Sequence, residues 1–155
     1  MIVSNSTPLI ALSRINKLEL LKEYFTEIYI PEEVYTEVVK RGGNLAGARE
    51  VRDAAWIKTG RAKDKLGVEI LVRNLDKGEA EAIILAKENN AELLLIDDRK
   101  GRDIAEDLGI KISGTIGVLL LAAEDNKINF KESLDDLIAS GFRLSKEEYK
   151  KLIAR

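Results

Sequence analysis

The sequence predicts an α/β fold, with a mainly parallel sheet carrying helices on both sides, on three observations. Short apolar runs alternate with longer stretches of helical periodicity along the chain. One run, Leu93-Leu94-Leu95-Ile96, contains no polar residue, as a strand covered on both faces requires. Turn and cap residues (Gly42-Gly43, Asn89-Asn90, Gly109 and Gly141) separate the pieces.

The elements follow in order. Ile2-Val3 is a short strand and Ser4 to Thr7 a polar turn. A helix follows with Pro8 in its first turn, where a missing N–H costs nothing. Lys17 to Phe25 forms a second short helix. Glu27 to Ile30 is a strand stopped by Pro31, which opens a helix through Arg41. Ala46 to Ala55 is helical and Trp56 to Thr59 a short strand. Arg61 to Asp76 is open, because Val68 to Val72 suits a strand or a helix. Gly78 to Asn90 is a helix, followed by the Leu93–Ile96 strand, a helix to Leu108 and a strand at Ile110-Lys111-Ile112. Thr115 to Glu124 and Lys131 to Ser140 are helices, and Ser145 to Glu148 is a capping box opening the last one.

Composition narrows the chemistry. A chain of 155 residues, 45% hydrophobic and 34% charged, suits one soluble domain that buries about 70% of the surface its unfolded form exposes. No apolar run approaches the roughly 20 residues of a membrane span, and the N-terminus lacks a signal-peptide pattern, so a cytoplasmic protein with no membrane partner is expected. The chain has no Cys and no His. Disulfides, thiol nucleophiles, imidazole or thiolate zinc sites and His-based triads are therefore excluded. Any metal must be held by oxygen, which favours Mg²⁺ or Mn²⁺. With a net charge of −2, nucleic acid would have to be bound by a local basic patch.

The chemistry-bearing residues lie where strands end. In open parallel sheets ligands bind at the carboxyl ends of the strands. Asp97 and Asp98 follow the Leu93–Ile96 strand directly and belong to an acidic, cation-binding site; helix capping is the plainer role for one of them. Glu79 shares its helix face with Ala82, Ile83 and Ala86, whereas Glu81 lines up with Glu88 on the polar side. Glu79 is thus either a site carboxylate or a first-turn acid favoured by the helix dipole. Glu37 flanks the Val34/Val38 stripe, as a site acid or a solvated flank residue. Asn5-Ser6-Thr7 follows the first strand and converges with Asp98 if strands one and four are neighbours. Arg99, Lys100 and Arg102 beside Asp98 are either RNA-backbone contacts or a solvated basic helix start.

Four stretches, SNSTPLIAL, IPEEVYTEV, LDKGEAEAIILA and LLLIDDRKGRDIAEDLG, resemble in order and spacing those of PIN-domain proteins. The likeness is greatest to an uncharacterised PIN-like branch related to VapC toxins, whose C-terminal part is similar to GTIGVLLLA and LIASGFRLS. It spans essentially the whole chain and implies a three-layer α/β/α sandwich. It also implies a Mg²⁺- or Mn²⁺-dependent ribonuclease, toxin-like and paired with an antitoxin protein, with a homodimer setting acidic clefts along a shared groove. The resemblance places the family's first acid at Asn5, with a hydroxyl at Ser6 or Thr7, and the others at Glu37, Glu79 and Asp98, with Asp97 alongside.

Gathering such acids needs a cation. Two carboxylates about 5 Å apart repel by roughly 3 kcal/mol at an effective dielectric near 20. A cluster is stable when one acid is protonated or a divalent ion binds, lowering the pKa of a bound water and stabilising charge on the phosphate. Arg99, Lys100, Arg102 and Thr7 would meet the RNA backbone. Asn5 departs from the pattern: its carbonyl can ligate, but it brings no negative charge and cannot act as a base. The resemblance therefore leaves two descendants open, a nuclease and a PIN-like module that only binds nucleic acid or protein. A phospho-acceptor receiver fits less well, because its Asp pair follows the first strand.

Overall fold

Side chains alternate across a parallel sheet, and that alternation builds two cores. In the computed structural model, which describes residues 1–155, the strands are β1 (Ile2–Ser4), β2 (Ile28–Pro31), β3 (Ile57–Gly60), β4 (Leu93–Leu95) and β5 (Ile112–Ser113). Their order is β3-β2-β1-β4-β5, all parallel. Ile28, Ile30 and Leu95 enter one core; Val3, Leu94 and Ile96 enter the other. Burial on both faces is why Leu93 to Ile96 carries no polar residue.

Helices cover each face. Leu9 and Leu12 of α1 (Ser6–Arg14), Leu21 of α2 (Glu19–Phe25), Leu119 of α8 (Thr115–Glu124) and Leu134 and Leu137 of α9 (Phe130–Ala139) fill the first core. Each such Leu or Ile contributes about 1.5–3 kcal/mol on burial. The second core is built on smaller residues: Ala82, Ile83 and Ala86 of α6 (Lys77–Glu88) and Ala105 of α7 (Arg99–Asp107). Alanines let α6 lie close to the sheet, which brings its first turn to the strand ends. The result is the three-layer α/β/α sandwich.

Between these lie α3 (Glu32–Tyr35), α4 (Ala48–Asp53), α5 (Lys65–Leu71) and α10 (Lys146–Ile153). The stretch left open by the sequence resolves as α5, started by Asp64, whose Oδ1 accepts from Gly67 N at 2.9 Å. Two details differ from the sequence reading. The helix after Pro31 passes at Thr36–Lys40 into a π-helical turn, with Arg41 N bonded to Thr36 O. The last strand starts at Ile112 rather than Ile110, because Ile110 N bonds back to Ala105 O to close the end of α7 around Gly109, at φ 79°.

The connections through β2 and β3 run one way from β1, and the return through α5 and α6 places β4 on the other side of β1. The carboxyl ends of β1 and β4 therefore flank the point where strand order reverses, where such sheets bind ligands.

Candidate active site

Ser4 pairs with Leu95, and the next N–H, that of Asn5, donates to Leu95 O at 2.9 Å. This fixes Asn5 beside the end of β4. Asn5 stands at the start of α1, yet its side chain does not cap the helix. Its Oδ1 is buried with no hydrogen-bond partner.

The first turn of α6 supplies the second group. Asp76 caps the helix by accepting from Glu79 N at 2.8 Å, and Glu79 Oε1 accepts in return from Asp76 N at 3.1 Å. Glu79 is 8% exposed, as its place on the alanine-rich face predicts. Its other oxygen, Oε2, lies toward α7, 3.7 Å from where a Cβ on Gly101 would stand. Asp98 caps α7 at the same turn, its Oδ2 accepting from Gly101 N at 3.1 Å. A Cβ on Gly78 would stand 3.7 Å from Asn5 Oδ1. Asn5, Glu79 and Asp98 thus share one corner, with Gly78 near Asn5 Oδ1 and Gly101 near Glu79 Oε2.

Electrostatics mark Glu79. Burial pushes its carboxyl up to about 7, and the negative charges of Asp76 and Asp98 add to the shift, while the Asp76 N–H bond opposes it. A carboxylate in a poorly solvated corner beside another acid holds its proton unless a cation replaces it.

Asp97 takes a different course from its neighbour. Its Oδ1 accepts from Thr115 N at 2.8 Å and its Oδ2 from Thr115 Oγ1 at 2.6 Å, so it fixes the start of α8. Burial raises its pKa, against the pull of the Thr115 bonds and Arg102. Gly114 is needed here, because a Cβ would collide with Asp97 Oδ1 and stand 2.9 Å from Arg102 Nη1. Glu37 lies in the π-helical turn; its Oε2 is buried and unpartnered, and none of the other acids bonds to it. No three acids come close enough to form a ready-made ion cage.

The basic residues divide similarly. Arg102 is half-buried and donates from Nη1 to Ile96 O at 3.0 Å, tying α7 to β4. Arg99 and Lys100 are exposed on the first turn of α7. Thr7 is exposed and lines a groove of about 430 Å³ together with Asp97 and Asp98. The groove also takes in Arg14, Phe142 and Arg143, which the sequence reading passed over. A Phe-Arg pair following Gly141 in a polar segment was their only local signal. A second groove, of about 860 Å³, continues past Asp97 and Arg143 to Arg99, Arg102 and Lys151.

A five-stranded parallel sheet with oxygen-bearing side chains gathered at its reversal point defines an α/β/α domain with a candidate site at the strand ends. The chain matches the family described as "DUF3368: PIN domain" over residues 1–155, and it belongs to the PIN-domain family. Among solved structures it is similar to a PilT N-terminus domain protein, SSO1118, from the hyperthermophilic archaeon Sulfolobus solfataricus P2. That likeness has a TM-score of 0.51 at 19% identity and covers 94% of this chain and 98% of the other. It bears on the fold. No curated protein matches the chain. No helix is long and apolar enough to cross a membrane.

Proposed function

We propose that this protein is a metal-dependent endoribonuclease whose Mg²⁺ or Mn²⁺ binds at the carboxyl ends of β1 and β4. The observation that carries the reading is Glu79, buried yet facing the turn that Asp98 caps, beside the unpartnered Asn5 Oδ1. The donors are all oxygen, and a buried amide oxygen without a donor suits a hard cation that keeps several of its waters. Asn5, Glu79 and Asp98 would hold it, with Glu37 contributing from the π-helical turn. Bound there, the ion would neutralise the acids, polarise a phosphate oxygen and lower the pKa of a water.

The chain's own groups do the rest. Glu79, its carboxyl raised to about 7 by burial, would lose its proton more readily when positive charge arrives. Asp98 is kept in place by Gly101 N, and Asp97 anchors α8 through Thr115. Arg99, Lys100 and Thr7 offer contacts to the RNA backbone. A toxin-like role, an antitoxin partner, a homodimer and cytoplasmic residence belong to the same proposal, on the family resemblance.

Cleavage of a labelled RNA with Mn²⁺ or Mg²⁺ tests the reading. Asp98→Asn and Glu79→Gln should each lower the rate by about a hundredfold or more. Asn caps a helix as well as Asp does, so the first variant should keep its fold. A parent protein that cuts no RNA with either metal would end the proposal.

A second reading, a module that binds without cutting, draws on Asn5, a neutral amide where the family carries an acid. Under it, Asn5→Asp creates cleavage where the parent has none; cleavage by the parent eliminates it.

A further inference from the structure

The groove lined by Thr7 and Asp98 also takes in the end of α1 and the segment between α9 and α10. Arg14 is the last residue of α1, and Arg143 follows Gly141 and Phe142. Both arginines are exposed and neither forms a salt bridge, although Asp97 and Asp98 line the same groove. Arg14 has one long bond, from Nη1 to Ser140 O at 3.5 Å. Gly141, at φ 111°, lets the segment turn close beside it, with a would-be Cβ 3.7 Å from Arg14 Nη1. Two guanidiniums held on a concave wall and left unpaired suit an anion supplied from outside, and the planar fork of Arg suits phosphate. Phe142 is half-buried on the same wall. An aromatic ring next to phosphate-binding cations is what a single strand uses to stack a base.

We infer that Arg14 and Arg143 form a phosphate clamp for one RNA strand lying in the groove, with Phe142 stacking a neighbouring base. The inference rests on the nuclease reading above and makes the segment after α9 part of the substrate site. At about 430 Å³ the groove has the size of a nucleotide-scale pocket rather than a duplex cradle. The trough continues over Asp97 toward Lys151, so a strand held by the clamp passes the acids.

The test is binding of a short fluorescein-labelled single-stranded RNA in EDTA, read by anisotropy across a salt series. The matched control is Lys22→Ala with Arg49→Ala, which removes two cations from a hollow by Trp56, at the amino ends of the strands. Arg14→Ala with Arg143→Ala should weaken binding about tenfold per arginine and reduce the salt slope by about 1.4. Phe142→Ala should weaken it about tenfold without changing the slope. Arg14→Lys with Arg143→Lys keeps the charges, guards against a folding defect and should fall in between. In cleavage the alanine pair should raise KM and leave kcat nearly unchanged. Equal losses from the alanine pair and the control pair would overturn the clamp in favour of diffuse attraction. Parent-like binding by the alanine pair, with cleavage intact, would overturn the clamp and leave the nuclease reading standing. A parent that neither binds nor cuts RNA would remove both.

Discussion

At the amino end of α6, Asp76 caps the helix and Glu79, three residues on, returns a bond to the Asp76 N–H. At the amino end of α7, Asp98 caps the helix in the same way, but the residue three on is Gly101. The absent side chain lets Ile96 Cδ1 pack against the α7 backbone, and Glu79 Oε2 of α6 lies on the same side. One helix start returns a bond from its third residue to its cap, and the other has no third side chain to return one. The local cap leaves Glu79 Oε2 free for the proposed metal site, because one carboxylate has two oxygens and the cap uses only one.

The largest effect that tests this contrast is a pH dependence. The Glu79 carboxyl starts from an ordinary value of 4.5 and is raised by burial to about 7 in the fold. The folded protein therefore keeps a proton that the unfolded chain releases between those values. The stabilisation is complete below the lower value and is lost as pH rises through the upper one, by about 3 kcal/mol. Asp97, also raised, acts in the same sense. Asp53 and Asp135, both lowered, act below the ordinary carboxylate range and so outside this window. Urea unfolding should show the parent less stable at about pH 8 than at about pH 5, with the difference much reduced in Glu79→Gln. Mn²⁺ should recover stability at the higher pH by binding the native state. A parent equally stable at both pH values would break the contrast between the two helix starts.

A smaller effect separates the two glycines. A Cβ on Gly101 would stand 2.5 Å from Ile96 Cδ1, in the packed core, so Gly101→Val should cost about 2 kcal/mol despite a gain in helix propensity. A Cβ on Gly78 meets only Val34 Cγ2 at 3.4 Å, Asp76 Oδ1 at 3.6 Å and Asn5 Oδ1 at 3.7 Å. Gly78→Ala should therefore be neutral or stabilising, by up to about 1 kcal/mol. Denaturant midpoints measure both, and equal costs at the two positions would show that the close packing of Ile96 on Gly101 is not special.

Asp97 and Asp98 teach the same lesson at closer range. Adjacent in sequence, one is committed to Thr115 across the sheet end and the other to its own helix. Nothing in the pair ID-D-R tells them apart, since the partner that distinguishes them lies 18 residues away. The π-helical turn around Glu37 was equally hidden, because the pattern IPEEVYTEV suits an unbroken helix. Arg14 and Arg143 are far apart in sequence and come to one groove only through the packing of α1 against α9.

By itself the sequence determined the layered α/β class, the doubly buried strand of Leu93 to Ile96, the apolar face that carries Glu79 and the strand-end position of Asp98. These follow from the periods of 2 and 3.6, which any short window contains. The tertiary structure alone decided that β4 lies against β1, that Asp97 turns to α8, that Lys65 to Leu71 within the open stretch forms a helix, and which arginines line the groove. Those outcomes depend on which faces bury together across the whole sheet, and no local window holds that free energy.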